Sequence, residues 1–200
     1  MIIVDLKQGS PEWLSFRLEK IGASDAPVIM GVSPYGDLMT LYKQKCCGMD
    51  KPPNGAMMYG RKNEEVARLL FEEQNNLAVF PMVGVHEVRT WQVASFDGLT
   101  LDHDVAVEIK CANEKDHNLA KAGKIPEKYY PQLQHQLAVS GLAQIFYFSY
   151  RGALKEGITL TVPRDDKYID KLIAREEEFY FRCMVLNNEP NFLDETPIAM

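Results

Sequence analysis

The chain has 200 residues, 46% hydrophobic and 25% charged, the balance of one water-soluble domain over residues 1–200 with enough apolar mass for a core. Its formal net charge of −6 argues against a generic nucleic-acid-coating surface, which would be basic. No apolar run of about 18 residues suggests a membrane span, and the opening MIIVDLKQGS lacks the basic start and apolar core of a signal peptide, so a cytoplasmic protein is expected.

Cys46, Cys47, Cys111 and Cys183 form no CxxC pair, which points away from zinc, an iron–sulfur cluster or a disulfide framework. The negative charge is uneven. From Arg164 to Glu195 nine acids oppose five bases, so that segment carries −4 of the −6 and leaves room for a local phosphate-binding cleft elsewhere.

In chain order, Ile2–Leu6 reads as a short strand or anchored tail. Ser10-Pro11 is a helix start, with serine as cap and proline in the first turn. That helix runs to Lys20 and carries Trp13 and Arg17 four apart on one face. Gly22 stops it, and Ser24 can cap a second short helix, Asp25–Met30. Arg17 and Ser24 thus flank a junction where a helix N-terminus favours an anion, or else serve as a surface ion-pair partner and a plain cap. A helix follows around Leu38–Cys46, then a loop over Cys47–Gly55. The next helix, Gly60–Gln74, has Val66, Leu69, Leu70 and Phe71 as its expected apolar stripe. Glu64 and Arg68, four apart on another face, read locally as a surface ion pair.

From Leu77 to Cys111 the period changes to two. Extended runs are expected at Leu77–Met82, Gly84–Arg89, Trp91–Phe96 and Val105–Cys111, as an antiparallel meander. Helices follow at Glu114–Ala122 and Tyr129–Ser140, the second with Gln132, His135 or Gln136, and Val139 defining its faces. Strands come next at Ile145–Arg151 and Gly157–Val162. The run IFYF suggests burial on both sides. An acidic amphipathic helix, Asp165–Asn187, closes the chain. This order predicts an α/β fold with a central mixed sheet flanked by helices.

Candidate chemistry concentrates in Ser95–Lys110, SFDGLTLDHDVAVEIK. Asp97 ends one extended run at a Phe-Asp-Gly turn. Glu108 and Lys110, two apart on the next run, share a face while Ile109 points to the core. If the runs pair, two carboxylates beside an ammonium form a site for a hard divalent cation, with the lysine at hand for a phosphate.

Asp97 followed by Glu108-Ile109-Lys110 resembles the PD-(D/E)XK nuclease superfamily, without the superfamily proline, since Phe96 precedes the aspartate. Further elements resemble the lambda-type phage recombination exonucleases, the YqaJ-like viral recombinase family. These are Trp13 to Arg17 with Gly22-Ala23-Ser24; Gly60 to Glu64 with Ala67-Arg68; Ser95 two before Asp97; Gln132-Leu133-Gln134; and Arg164-Asp165-Asp166-Lys167-Tyr168. They run in order over about residues 10–185.

The resemblance implies a PD-(D/E)XK-like sheet and roles for matching positions. Asp97, Glu108 and the Ile109 carbonyl would bind Mg²⁺, with Asp97 bridging to a second ion supported by Glu64; Mn²⁺ would substitute. Lys110 would contact the attacking water or scissile phosphate, and Gln132 would help position those groups. Arg17, Ser24 and Ser95 would hold a 5′-terminal phosphate. Met57 would be an apolar wedge separating the terminal base pair. The implied activity is 5′→3′ digestion of double-stranded DNA from its ends, releasing 5′-mononucleotides and leaving 3′ overhangs for recombination. The implied setting is phage or prophage, as a homotrimeric ring acting with a single-strand annealing protein. The alternatives are an endonuclease of the same superfamily and a non-catalytic DNA-binding protein on the same fold.

Overall fold

The structure, a computed structural model, describes residues 1–49 and 55–187, with nothing described for the side chains of Ala56 and Met57. The order is β1 (Ile2–Val4), α1 (Pro11–Leu18), β2 (Ile21–Gly22), α2 (Ala26–Ile29), α3 (Leu38–Cys46), α4 (Gly55–Asn75), β3 (Phe80–Val85), β4 (Gln92–Leu99) and β5 (Ala106–Cys111). Then come α5 (Glu114–Lys121), a 3₁₀ turn leading into α6 (Tyr130–Ser140), β6 (Gln144–Arg151), β7 (Glu156–Pro163) and α7 (Asp166–Phe179).

Local chemistry sets many of the ends. Ser10 accepts the amide of Trp13 at the start of α1, Asp37 that of Thr40 at α3, Asn113 that of Asp116 at α5, and Asp165 that of Tyr168 at α7. Gly141 closes α6 at φ 77°, a left-handed cap that suits glycine.

The seven strands form one mixed sheet in the order β1-β3-β4-β5-β6-β7, with β2 beside β4. β3, β4 and β5 pair antiparallel, as the meander predicts, while β5 and β6 run parallel. Helices cover both faces. On one, α6 and α7 contribute Leu133, Leu137 and Ile169 to a core with Leu99, Ile145 and Tyr147. On the other, Ala67 and Phe71 of α4 pack on Val107, Ile109 and Phe148. β6 therefore alternates between two cores, which is why IFYF is apolar throughout.

Four local expectations are corrected. The runs at 77–82 and 84–89 are one strand, β3, whose pairing with β4 shifts register between Phe80 and Met82. There the step from Phe80 to Met82 faces the longer step from Leu99 back to Phe96, the extra residue lying on β4. The strand ends at a turn in which His86 Nδ1 accepts the amides of Val88 and Arg89. In α4 the inward stripe is Ala67, Leu70 and Phe71; Val66 and Leu69 are exposed, because the helix packs through its small and aromatic positions. α7 ends at Phe179 and passes into a π-helical turn, Tyr180–Val185, that keeps Phe179 and Cys183 in a core with Ile21, Leu41 and Tyr42. Finally, α2 is a single turn whose N-cap position is Asp25 rather than Ser24, with no side-chain capping bond from it. No helix among the described residues is long and apolar enough to cross a membrane.

Candidate active site

The site exists because β4 and β5 part company. Their ladder pairs only Gly98 with Val107 and Leu99 with Ala106. Gly98 permits that close pairing: a Cβ there would lie 2.5 Å from Val79 Cγ2 and 2.7 Å from Val107 Cγ1. Beyond it the Ile109 N–H has no strand partner, and the Asp97 carboxylate accepts it at 2.8 Å. Further along the same edge of β4, β2 pairs with Gln92 and Val93, and α6 covers the stretch between, His135 reaching the Val93 carbonyl at 2.8 Å. Asp97 is thus held in a gap walled by β5, α6 and the α1–β2 segment.

Glu108 and Lys110 face this gap and Ile109 packs against α4, as the period-two reading requires. Glu108 is 2% exposed and both its oxygens are engaged. Oε1 accepts from Lys110 Nζ at 2.5 Å and Gln132 Nε2 at 2.6 Å, and Oε2 accepts from Gln136 Nε2 at 2.5 Å. Lys110 also donates to Gln132 Oε1 at 3.0 Å and lies over the Tyr129 ring, 5.1 Å from its centroid. Gln132 and Gln136, one turn apart, are therefore the α6 residues that meet Glu108. His135 points elsewhere, into a buried bond with Glu176.

The electrostatics describe a surplus of negative charge. Burial pushes the Asp97 carboxyl well above the usual carboxylate range, and the charges of Glu108 and Glu64 push it further. Glu64 is raised by burial and by Glu108, with Arg68 pulling the other way. Burial works against the Lys110 charge, but Glu108 and Asp97 outweigh it and hold the ammonium above its ordinary value. These three carboxylates and the Ile109 carbonyl are hard oxygen donors, and a cation would relieve their repulsion, so the donor set fits Mg²⁺ or Mn²⁺. Among the described residues no three His, Cys, Asp or Glu side chains converge closely enough to hold an ion as they stand. Glu108 in particular would have to exchange Lys110 and Gln132 for it.

Next to the carboxylates, Arg17 and Ser24 are in contact, Nη2 donating to Oγ at 2.6 Å. Ser95 joins them through Trp13: the Arg17 guanidinium stacks on the indole, 4.6 Å from the ring centroid, and the indole Nε1 donates to Ser95 Oγ at 3.0 Å. The Ser24 hydroxyl serves Arg17 and not a helix end. Because α2 is only four residues long, positive character at this junction comes from the guanidinium rather than from a helix terminus. Met57 belongs to α4, but its side chain, and with it the wedge expectation, lies outside the described residues.

Several residues of the site were not singled out in sequence. Trp13 was visible as a motif letter but not as the bridge between Arg17 and Ser95. Gln136 was one of two choices on α6; one turn from Gln132, it shares the face that meets Glu108. Asp25 and Lys45 pair at 2.7 Å beneath Arg17, a contact twenty residues apart with no periodic signal to reveal it.

Residues 12–143 match the model of the YqaJ-like viral recombinase domain. The uncharacterized protein YqaJ of Bacillus subtilis (strain 168) is 25% identical over 193 residues, covering 94% of this chain and 60% of that protein, so the chain spans about three-fifths of that relative's length. Among solved structures, the alkaline exonuclease LHK-Exo from Laribacter hongkongensis aligns over 88% of this chain and 94% of that one. The TM-score is 0.74 at 24% identity, and 0.75 at 25% identity for its complex with dAMP. A phage-related exonuclease from Haemophilus somnus 129PT shares the fold at 15% identity, with a TM-score of 0.59 over 84% of this chain and 96% of that one. With a family model matched over well more than half its length, the chain belongs to the YqaJ-like viral recombinase family.

Proposed function

We propose that the protein is a Mg²⁺-dependent exonuclease that digests one strand of double-stranded DNA from its 5′ end, releasing 5′-mononucleotides and leaving a 3′ single-stranded overhang for strand-annealing recombination. The observation that carries this reading is the spacing on β4. Ser95, linked through Trp13 to Arg17 and Ser24, stands two residues from Asp97, about 6.6 Å along an extended strand. A pocket suited to a terminal phosphate therefore adjoins the carboxylates at roughly one nucleotide step. An endonuclease has no use for that adjacency.

In this reading Arg17 grips the 5′-terminal phosphate, bidentate geometry being open to a guanidinium, and the Ser24 and Ser95 hydroxyls complete the cradle. An internal strand has no terminal dianion to offer, so the pocket supplies both end selection and polarity. Asp97, Glu108, the Ile109 carbonyl and Glu64 would hold two Mg²⁺ ions, or Mn²⁺ in their place. Bound there, the ions would neutralise charge building on the entering and leaving oxygens of the phosphodiester. Lys110, which already faces the gap, exchanges its bond to Glu108 for one to the scissile phosphate or the attacking water, and Gln132 orients the same groups. Water adds to the phosphorus that links the first and second nucleotides as its bond to the first nucleotide's O3′ breaks. That oxygen takes up a proton, so the freed nucleotide leaves with its own 5′-phosphate and a 3′-hydroxyl, and the attacked phosphate stays on the second nucleotide. Orienting attack onto the bond whose cleavage leaves phosphate on the new end regenerates the ligand of the Arg17 pocket.

The test compares linear duplexes bearing 5′-phosphate or 5′-hydroxyl with covalently closed circles, all in Mg²⁺. Fast loss of the phosphorylated strand, slow loss of the hydroxyl form and intact circles are expected. Nicked circles without end preference would overturn the exonuclease reading in favour of an endonuclease, and no cleavage with retained binding would make this a binding protein. A homotrimeric ring and an annealing partner belong to the same proposal. Light scattering of the purified protein, giving three times the chain mass of 22.7 kDa, tests the first.

A further inference from the structure

Lys45, in the last turn of α3, is buried and plays no part in the scheme above. Its Nζ lies 2.7 Å from Asp25 Oδ2 and donates to the carbonyls of Arg17 at 2.8 Å and Lys20 at 2.7 Å. Three acceptors use all three ammonium donors. Asp25 is itself buried; its Oδ2 also accepts the Gly22 amide at 2.8 Å, and its Oδ1 lies 3.9 Å from Arg17 Nη2. One buried carboxylate thus has two cations within reach, and the closer is Lys45. Burial alone would raise the Asp25 carboxyl, yet Lys45 and then Arg17 hold it below its ordinary value.

We infer that Lys45 is a positioning residue: by occupying Asp25 it keeps Arg17 turned to Ser24 and available to a terminal phosphate. The inference rests on the 5′-phosphate reading of that pocket. A carboxylate and a phosphate compete for the same guanidinium. Without Lys45, the buried Asp25 would be left uncompensated, a costly state that closing the 3.9 Å gap to Arg17 relieves. The pocket would then lose its cation to the protein interior. The two carbonyl bonds add a second constraint, since they fix the backbone at Arg17 itself and at the turn leading into β2.

The experiment measures binding of duplexes with 5′-phosphate or 5′-hydroxyl ends by fluorescence anisotropy in EDTA, so that no cleavage or metal loading enters. The full chain is used, as wild type, Lys45→Met, Asp25→Asn and the double substitution. Wild type should prefer the phosphorylated end. Lys45→Met should cut that preference by about tenfold or more, the scale of a lost charge-assisted hydrogen bond. Asp25→Asn alone should keep it, and the double substitution should recover it, because the competing carboxylate is gone. A folded Lys45→Met protein with full preference, or a double substitution no better than Lys45→Met, would overturn the inference and leave Lys45 a structural residue. Should Lys45→Met fail to fold, loss of preference in Asp25→Asn or in the double substitution still overturns it. A wild type without any phosphate preference would instead sink the pocket reading, a distinguishable failure.

Discussion

The buried pair His135–Glu176 makes a quantitative prediction about pH. His135 Nδ1 faces Glu176 Oε1 at 2.6 Å and Nε2 faces the Val93 carbonyl at 2.8 Å. Both partners only accept, so the ring must carry both protons. Burial disfavours that charge, but the Glu176 carboxylate outweighs it and the imidazolium is held above its ordinary value of 6.5. A raised histidine contributes stability that is fully present below about pH 6.5 and is lost as pH rises through the folded-state value. In that window the native state binds one more proton than the unfolded state, so stability falls by about 1.4 kcal/mol per pH unit for this group. Glu176→Gln removes the main cause and also misplaces the bond that Gln92 Nε2 makes to Glu176 Oε2 at 2.8 Å. The cost should be about 3–5 kcal/mol near pH 6, the range for breaking one side of a buried ion pair, and should shrink as pH rises. Urea midpoints for wild type and Glu176→Gln at half-unit steps from pH 6 to 9 give the difference, in which titrations common to both proteins cancel. A difference that stays flat or grows with pH would mean that His135 is neutral in the fold and that Glu176 does not hold its proton.

Three further outcomes follow from the site. Asp97→Asn should lower cleavage by about a thousandfold or more, the several kcal/mol that metal-assisted charge neutralisation supplies, and should abolish any rise in melting temperature that Mg²⁺ or Mn²⁺ gives the wild type. A retained metal-induced shift would place the ion elsewhere. Gly98→Ala forces a methyl against Val79 and Val107 and should cost about 1–3 kcal/mol by urea titration, with a neutral result meaning that β4 and β5 can separate further without penalty. Trp13→Phe keeps an aromatic ring beneath Arg17 but removes the donor to Ser95; a loss of about 1 kcal/mol is expected, and 5′-phosphate preference should survive better than in Arg17→Ala, as paired binding titrations would show.

What the sequence made legible follows from the reach of each signal. The alternation in Val105–Cys111 reports the two faces of a strand, so it placed Glu108 and Lys110 in the gap and Ile109 in the core. The two-residue step from Ser95 to Asp97 is likewise a property of one strand. Helix α4 was harder, because its apolar residues cover more than half its circumference. Only contact with Phe148 and Val107 decides that Ala67 and Phe71 face inward and Val66 outward. Ser24 misled for a related reason: a serine before a short helix has the composition of a cap, and only the 2.6 Å bond from Arg17 assigns its hydroxyl to another task. Asp25 and Lys45 lie beyond any local signal, since buried charges twenty residues apart leave no periodicity in the chain.

The same geometry bears on how a chain with net charge −6 could handle DNA ends. The basic groups in and around the proposed end pocket and the carboxylate gap are not spread over a surface; each is placed by specific partners. Lys45 is held by Asp25 and two carbonyls, Lys110 by Glu108 and Gln132, and Arg17 by Ser24 and the Trp13 face. A dianion entering that pocket exchanges neutral or already balanced contacts for charge-assisted ones without calling on long-range attraction. Affinity should therefore depend on the terminal phosphate far more than on duplex length. Binding to the 5′-phosphorylated end should accordingly lose less with added salt than a surface of six to ten phosphate contacts would, for which about 10³–10⁵ is lost between 50 and 200 mM salt. A salt slope as steep as that, equal for phosphate and hydroxyl ends, would mean that a diffuse basic surface binds the DNA and that the Arg17 pocket is not what selects the end.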